Sequence, residues 1–279
     1  MKIVDAQVHI WAANTPERPW PKRAEPHRKS ALGKDELLGE MDKAGVDGVV
    51  IVPPSWEGDR NDIALAAAAA HPDRFCIMGR FDPDAPGSRN QIADWKKQLG
   101  MLGMRLTFHT EMLRQPLLDG RYDWVWGEME RHGVPAMVLF HHEYIHLADK
   151  IAAQYPGLRL VLDHCGLKSG KDIKEAQNFA TLDKMLALAR RPNVAAKVTA
   201  MPCYADDKTY PFRSLHGHIR RVFDAFGPQR TFWGTDCSRL PCTYRQGITM
   251  FTEEMPWLKG PDLEWVMGRG VCEWIGWRM

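Results

Sequence analysis

The stretch "VDAQVHIW" at residues 4–11 reads as a buried β-strand that ends in polar side chains. Its apolar and β-branched residues favour a strand. Side chains alternate across a strand, so Asp5, Gln7 and His9 are expected on one face, with His9 nearest the C-terminal end. In a parallel barrel, polar residues at the C-terminal ends of strands build the functional site. This stretch therefore predicts the first strand of such a barrel.

Short apolar runs like this one recur along the chain. The expected strands lie at 2–9, 47–52, 74–81, 103–108, 135–140, 158–164, 193–199 and 230–236. Amphipathic segments that often end in Gly or Pro separate them and are expected to be helices. The segment from Gln246 to the C-terminus is expected to form helices that close the barrel. The pattern predicts an α/β protein with a single-domain (β/α)8 TIM barrel over residues 1–279, and an open, doubly wound sheet is the alternative.

The composition is that of a globular protein, with 44% hydrophobic and 26% charged residues. The formal net charge is +2, and no basic run is long enough to suggest a nucleic-acid partner. The longest apolar run, "IALAAAAA", is too short to span a membrane. The 6 cysteines form no CxxC pair, which is typical of reduced thiols and predicts a cytoplasmic protein.

Three chemically active side chains lie at the ends of expected strands one, six and eight. They are His9, His164 and Asp236. The barrel brings these distant positions to one opening, so we expect them to converge there. Asp163, next to His164, is expected to point out of the barrel by strand alternation. The long connections at 12–33 and 201–212 are expected to build the same site.

Arg105 lies inside an apolar strand, where an unpaired charge would be costly. Its partner is therefore expected to be either a neighbouring acid or an anionic substrate. Lys197, Arg213 and Arg239 add positive charge near the same opening, and few acids accompany them. This balance favours an anionic substrate. Trp11 and Tyr204 are expected to stack on a ring-shaped substrate, although such residues also commonly shield a core.

The chain resembles a known superfamily at five motifs. They are "VDAQVHIW" against a first-strand HxHxW pattern, "GMR" against GxR, "YPGLRLVLDHCG" against YP(x)nDHxG, "NVAAKVTAM" in strand seven, and "FWGTDCSR" against WGSDxP. On these motifs the chain resembles the amidohydrolase superfamily. Within it, the resemblance is to the amidohydrolase-related (family 2) branch, which holds lactonases of pyrone, muconate-derived and sugar acids.

The resemblance has a consequence for metal binding. The first strand of the family usually supplies two histidines to a metal, but Gln7 replaces the earlier one here. An amide is a poor zinc ligand. The expectation is therefore a reaction that requires no cofactor. The alternative is one divalent metal, zinc, held by His9, His164 and Asp236.

The resemblance implies a hydrolase that opens a small anionic lactone carrying a carboxylate or sulfonate. Asp236 would act as general base, His9 and His164 would stabilise the oxyanion, and Gln7, Arg105, Lys197, Arg213, Arg239, Trp11 and Tyr204 would contact the substrate. Aromatic catabolism is the expected setting, and a homo-oligomer is possible for this chain. A metal-dependent decarboxylase of an aromatic or muconate-like acid and a non-catalytic anion-binding protein are the alternatives.

Two further histidines, His141 and His142, follow strand five, where another branch of the superfamily places a metal ligand. Adjacent residues in an extended segment point in opposite directions, so at most one of the two can face the site.

Overall fold

The computed structural model describes residues 1–21, 26–170 and 172–279. Its strands form one parallel sheet in the order β1 to β8. They are β1 Val4–Val8, β2 Gly48–Ile51, β3 Phe75–Arg80, β4 Met101–Thr107, β5 Ala136–Leu139, β6 Leu160–Leu162, β7 Val194–Thr199 and β8 Thr231–Gly234. Each strand overlaps an expected one.

The sheet curves until its first and last strands meet. The backbone N–H of Asp236 donates to the Gln7 carbonyl over 2.9 Å, and the Thr235 N–H donates to the Asp5 carboxylate over 2.9 Å. The result is a nearly closed barrel with consecutive strand order. The predicted (β/α)8 TIM barrel is confirmed, and the open-sheet alternative is wrong.

Helices surround the barrel. In the described ranges they are α1 Lys34–Ala44, α2 Asp62–Ala70, α3 Ser88–Asp94, α4 Glu111–Leu118, α5 Asp123–Arg131, α6 Ile145–Gln154, α7 Glu175–Phe179, α8 Leu182–Leu186, α9 His216–Phe226, α10 Tyr244–Thr252, α11 Pro261–Glu264 and α12 Gly270–Ile275. Within the part of the chain that the structure describes, none of these helices has the length and apolarity needed to cross a bilayer.

The barrel interior toward the N-terminal ends of the strands is a packed apolar core. Its members include Val50, Met78, Val161 and Phe232, and α12 closes the N-terminal end through Val271 and its neighbours. A larger apolar cluster fills the layer between the strands and the surrounding helices. The C-terminal end, which this core leaves free, is where a TIM barrel places its functional site.

Candidate active site

The prediction that Asp5, Gln7 and His9 share one face of β1 is only partly correct. The register of β1 against β2 shifts between Asp5 and Val8. Asp5 points away from the barrel interior, where its carboxylate accepts hydrogen bonds from the Thr235 and Tyr244 hydroxyls. Gln7 and His9 face the interior. The irregularity, which strand alternation does not foresee, separates Asp5 from the other two residues.

His9 and Asp236 meet at the C-terminal end of the barrel. The His9 Nε2 lies 3.3 Å from Asp236 Oδ1, and His9 Nδ1 donates to the Val52 carbonyl over 2.5 Å. Because the carbonyl only accepts, a neutral His9 ring carries its lone pair on Nε2. Asp236 Oδ1 is buried and has no hydrogen-bond partner among the described residues. Two lone pairs therefore face the same small space.

Burial and charge set the protonation of this pair. Burial raises the pKa of Asp236, but His9 and Arg239 outweigh it, so the pKa lies below its usual range. Burial lowers the pKa of His9, and the opposing charge of Asp236 does not restore it. Near neutral pH the site therefore holds an ionised carboxylate beside a neutral imidazole.

His164 belongs to a separate hydrogen-bonded chain. Lys197 Nζ donates to Gln7 Oε1 over 2.5 Å, which fixes the Gln7 amide so that its Nε2 donates to His164 Nε2 over 3.0 Å. His164 Nδ1 then donates to the Thr199 hydroxyl over 2.8 Å. Burial lowers the pKa of His164 to about 3, with Arg239 adding to the effect. Its two ring nitrogens are both occupied.

Asp163 does not point out of the barrel, so that expectation is wrong. Its carboxylate lies inside, 2.6 Å from Lys197 Nζ and 2.5 Å from Arg105 Nε. The chain leaves strand geometry here, because His164 and Cys165 adopt positive φ values of 51° and 52°. This left-handed turn lets adjacent residues both reach the interior. Asp163 is therefore the neighbouring acid that Arg105 requires.

Arg239 and Tyr204 complete the site on the far side of Asp236. Arg239 Nε lies 2.8 Å from Asp236 Oδ2, and its Nη2 donates to the Tyr204 hydroxyl over 2.9 Å. Burial raises the pKa of Tyr204, so the phenol keeps its proton. The Tyr204 oxygen accepts from Arg239, and the Ser169 side chain lies within hydrogen-bonding reach of the same hydroxyl.

Two expected substrate contacts lie elsewhere. Arg213 is on the surface, with 74% of its side chain exposed, and pairs with Glu254 at 3.3 Å. Trp11 is fully buried and packs edge to face on Trp56. Trp56 in turn packs against the His9 ring, with centroids 5.6 Å apart. The structure therefore does not bring Arg213 or Trp11 to the converging histidines and aspartate.

The histidine pair after β5 has different surroundings. His142 is held by Thr181 Oγ1 at 2.9 Å and by the Cys165 carbonyl at 2.8 Å, so both ring nitrogens are engaged. His141 lies 6.1 Å from the His109 ring, and burial lowers its pKa to about 4. Neither side chain contacts His9 or Asp236.

Sequence reasoning missed two residues of this site. His27 Nδ1 lies 3.8 Å from Asp236 Oδ1 and 2.8 Å from the Ser238 hydroxyl. Thr199 orients His164. His27 belongs to the long connection after β1, which the sequence predicts to build the site, but no motif distinguishes this histidine there. Thr199 occupies an inward position of β7, two residues after Lys197.

A model of the amidohydrolase family matches residues 4–262 of the chain. The chain belongs to the amidohydrolase family. Over 242 residues, this amidohydrolase is 26% identical to an L-fucono-1,5-lactonase from Burkholderia ambifaria, with 84% of this chain and 79% of the relative covered.

Solved structures share the fold. An amidohydrolase from Burkholderia multivorans with bound zinc superimposes with a TM-score of 0.81 at 19% identity, covering 100% of both chains. A probable 2-pyrone-4,6-dicarboxylic acid hydrolase from Acinetobacter baumannii gives a TM-score of 0.77 at 18% identity, covering 99% of this chain and 100% of that one.

The zinc in the Burkholderia multivorans structure corrects one prediction. The expectation that no cofactor is required is wrong, because this neighbour points to a metal. The alternative of one divalent metal is compatible with the comparison.

The fit of the residues to a metal is partial. His9 Nε2 and Asp236 Oδ1 face each other with free lone pairs, whereas His164 Nε2 accepts from Gln7. Within residues 1–21, 26–170 and 172–279, no three His, Cys, Asp or Glu side chains are arranged around a common ion. The three-residue set proposed from the sequence therefore does not form in this arrangement. The pair His9 and Asp236 offers ligand atoms.

Proposed function

We propose that this amidohydrolase opens a small lactone that carries a carboxylate or sulfonate, by attack of water with Asp236 as general base. The observation that carries the proposal is the unpartnered, buried Oδ1 of an ionised Asp236 beside the lone pair of His9 Nε2. The L-fucono-1,5-lactonase relative supports lactone hydrolysis as the reaction class.

The proposed reaction begins with a water between Asp236 Oδ1 and His9 Nε2. The water oxygen attacks the lactone carbonyl carbon while its proton moves to Oδ1. The tetrahedral oxyanion then collapses, the ring C–O bond breaks, and the departing alkoxide takes the proton back from Asp236. Arg239 holds Oδ2, so Oδ1 keeps its direction toward the water. General base catalysis of this kind contributes roughly 100-fold to 10,000-fold.

Tyr204 is the proposed donor to the developing oxyanion. Its oxygen is fixed by Arg239, and its O–H would turn from the neighbouring Ser169 side chain to the oxyanion. The sequence-based role of His164 as oxyanion donor is revised, because the neutral ring donates to Thr199 and accepts from Gln7. His164 and Gln7 instead act as positioning residues that fix this wall of the site.

A divalent metal would take the place of the water in this scheme, because both would use the same lone pairs of His9 Nε2 and Asp236 Oδ1. His9 and Asp236 would hold it, and when bound a divalent ion supplies Lewis-acid polarisation of the lactone carbonyl. Arg239 would still hold Asp236 Oδ2 and the Tyr204 hydroxyl, because it is not a ligand.

The test is hydrolysis of a lactone panel by wild type and Asp236→Asn. The panel contains carboxylate-bearing lactones, L-fucono-1,5-lactone and a neutral lactone, with carbon dioxide release measured in parallel. Asp236→Asn is expected to lose at least about 100-fold in kcat, because the amide cannot accept the proton. The matched control is Asp47→Asn, at the start of β2, whose carboxylate accepts from the Ile3 N–H at the other end of the barrel.

Full turnover by Asp236→Asn would overturn the assignment of the base. Carbon dioxide release from a carboxylic acid without lactone opening would instead identify the decarboxylase alternative. Tight binding of panel members without any turnover would identify a binding protein.

A further inference from the structure

A cavity of about 300 Å³ lies at the C-terminal ends of β3 and β4, and neither His9 nor Asp236 lines it. The linking residue is Arg105, which lines this cavity and whose Nε is bonded to Asp163 next to His164. A volume of this size suits a small ligand. Nothing in the proposed reaction uses the cavity's other residues.

The inner end of the cavity is cationic. Arg80 and Arg105 are register partners on β3 and β4, so both guanidinium groups rise from the same level of the barrel. The Arg80 side chain is 12% exposed, and Arg105 is 7% exposed. Placing two buried cations side by side is unfavourable unless negative charge is supplied between or beside them.

The acidic residues of the cavity supply only part of the negative charge that Arg80 and Arg105 require. Asp59, Asp82 and Asp84 line its exposed rim. Asp84 pairs with Arg121 there, and Asp59 binds Arg80 through Nε and Nη2 at 2.8 Å. At the inner end, Asp163 alone balances both Arg105 and Lys197. One carboxylate against two cations leaves the buried cluster with an excess positive charge.

Unpartnered donors mark where a ligand would bind. Arg80 Nη1 is buried and has no hydrogen-bond partner among the described residues. The indole N–H of Trp126, another lining residue, is likewise buried without an acceptor in that part of the chain. Buried donors normally find acceptors, and an oxyanion provides several.

Apolar side chains form much of the remaining lining, together with Thr107, Arg121 and Tyr122. Phe81, Phe108 and Leu113 line the cavity with Trp126, and Phe108 stacks on Phe140 with centroids 4.9 Å apart. A ligand that fits both parts has a negative charge at one end and an apolar, flat body. A polyhydroxylated sugar ring would leave without partners those hydroxyl groups that face the apolar side chains.

We propose that this cavity binds the anionic substituent of the substrate, a carboxylate on an apolar planar body, and that Arg80 is the residue that selects it. This inference rests on the proposed function in one respect: it takes the anion that binds in the cavity to be part of the lactone substrate. It narrows the substrate class to conjugated or aromatic lactone carboxylates. Sugar lactones without a charged group are disfavoured.

The direct test is binding of benzoate and its neutral isostere benzamide, measured by calorimetry without any turnover. Wild type is expected to bind benzoate more tightly than benzamide. Arg80→Gln is expected to weaken benzoate binding more than about tenfold and to leave benzamide unchanged, because it removes a charge-assisted hydrogen bond. Arg74→Gln is the matched control, since Arg74 precedes β3 at the opposite end and pairs with Asp42.

A second variant keeps the test informative if Arg80→Gln does not fold. Asp59→Asn leaves the Arg80 cation in place and frees its Nε and Nη2, so benzoate is expected to bind at least as tightly as in wild type. Equal affinity of wild type for benzoate and benzamide, or benzoate binding weakened by Asp59→Asn, would overturn the inference.

Lactone kinetics separate this inference from the proposed function. If lactones are hydrolysed but Arg80→Gln leaves the preference for carboxylate lactones unchanged, the cavity assignment fails and the reaction stands. If benzoate binds in an Arg80-dependent manner and no lactone is opened, the reaction fails and the anion site stands.

Discussion

Asp163 is the residue on which the polar interior depends. It is fully buried and pairs with two cations, Lys197 and Arg105. Lys197 also holds Gln7, which fixes His164, so a single carboxylate organises one wall of the site. Removing one member of a buried ion cluster leaves an uncompensated charge, which costs far more than losing a surface pair.

Asp163→Asn is therefore expected to lower the free energy of unfolding by about 3–5 kcal/mol, measured by urea denaturation at pH 7. Asp149→Asn is the matched control, because Asp149 also pairs with two cations, Arg190 and Arg191, but near the surface. Its expected cost is about 0–1 kcal/mol. Equal losses in the two variants would show that burial adds nothing to the cluster.

The same variant has a defined pH dependence. Burial raises the pKa of Asp163, but Lys197 and Arg105 outweigh it and hold the pKa below the ordinary 3.8. A depressed pKa stabilises the fold above the unfolded-state value and ceases to do so as the pH falls through the folded-state value. The stability difference between wild type and Asp163→Asn should be constant above about pH 5 and shrink only in strong acid.

Measurements of bound zinc test separately whether His9 and His164 are metal ligands. His9 Nε2 faces Asp236 with its lone pair, whereas His164 Nε2 is occupied by Gln7. After equilibrium dialysis against zinc, His9→Ala is expected to bind at least about tenfold more weakly than wild type, and His164→Ala is expected to retain the ion. An equal loss in both variants would mean that His164 leaves Gln7 to become a ligand.

At the scale of elements, the sequence predicts the strands well and their local irregularities poorly. Apolar runs between helix signals locate all of β1 to β8 because parallel barrel strands are buried on both sides. Side-chain alternation predicts the wrong direction for Asp5, where the strand register shifts, and for Asp163, where a left-handed turn follows. Such departures depend on contacts with β8 and β7, which a local pattern does not contain.

In the candidate site too, the sequence predicts some residues, and others depend on tertiary contacts. Strand ends locate His9 and Asp236, which do meet, because barrel geometry alone brings them together. His27 comes from a long loop, and its approach to Asp236 depends on tertiary packing against Trp56. Arg80 ends β3 as an inward residue, yet its missing hydrogen-bond partner is visible only in three dimensions.

The junction of β8 with β1 makes a specific demand on Gly234. A Cβ there would lie 2.6 Å from Thr199 Cγ2 and 2.9 Å from Asp5 Oδ1. Gly234→Ala is therefore expected to destabilise the protein by about 1–3 kcal/mol in thermal or urea unfolding. Gly217→Ala, in α9, meets nothing within 4 Å and should stabilise by about 0.5–1 kcal/mol. If Gly234→Ala and Gly217→Ala changed the stability in the same direction, the inferred crowding at the junction would be contradicted.

At the scale of the whole molecule, the two ends of the barrel have different tasks. The C-terminal end holds the charged groups, and the N-terminal end is closed by apolar side chains that follow the last βα unit. Val271, Ile275 and Trp277 pack with Val4 and Phe232 in one core. The expectation that the C-terminal segment closes the barrel is confirmed.

That closure predicts the effect of truncation. A chain that stops after Arg269 loses Val271, Ile275 and Trp277, which are 1%, 2% and 9% exposed. Burying side chains of this size is worth about 1.5–3 kcal/mol each, so the loss approaches the 5–15 kcal/mol that typically separates folded from unfolded domains. We expect no cooperative thermal transition for this truncation. A chain that stops after Trp277 keeps all three side chains and should melt cooperatively within a few degrees of wild type. A folded, cooperatively melting chain ending at Arg269 would show that the strands and outer helices close the barrel without α12.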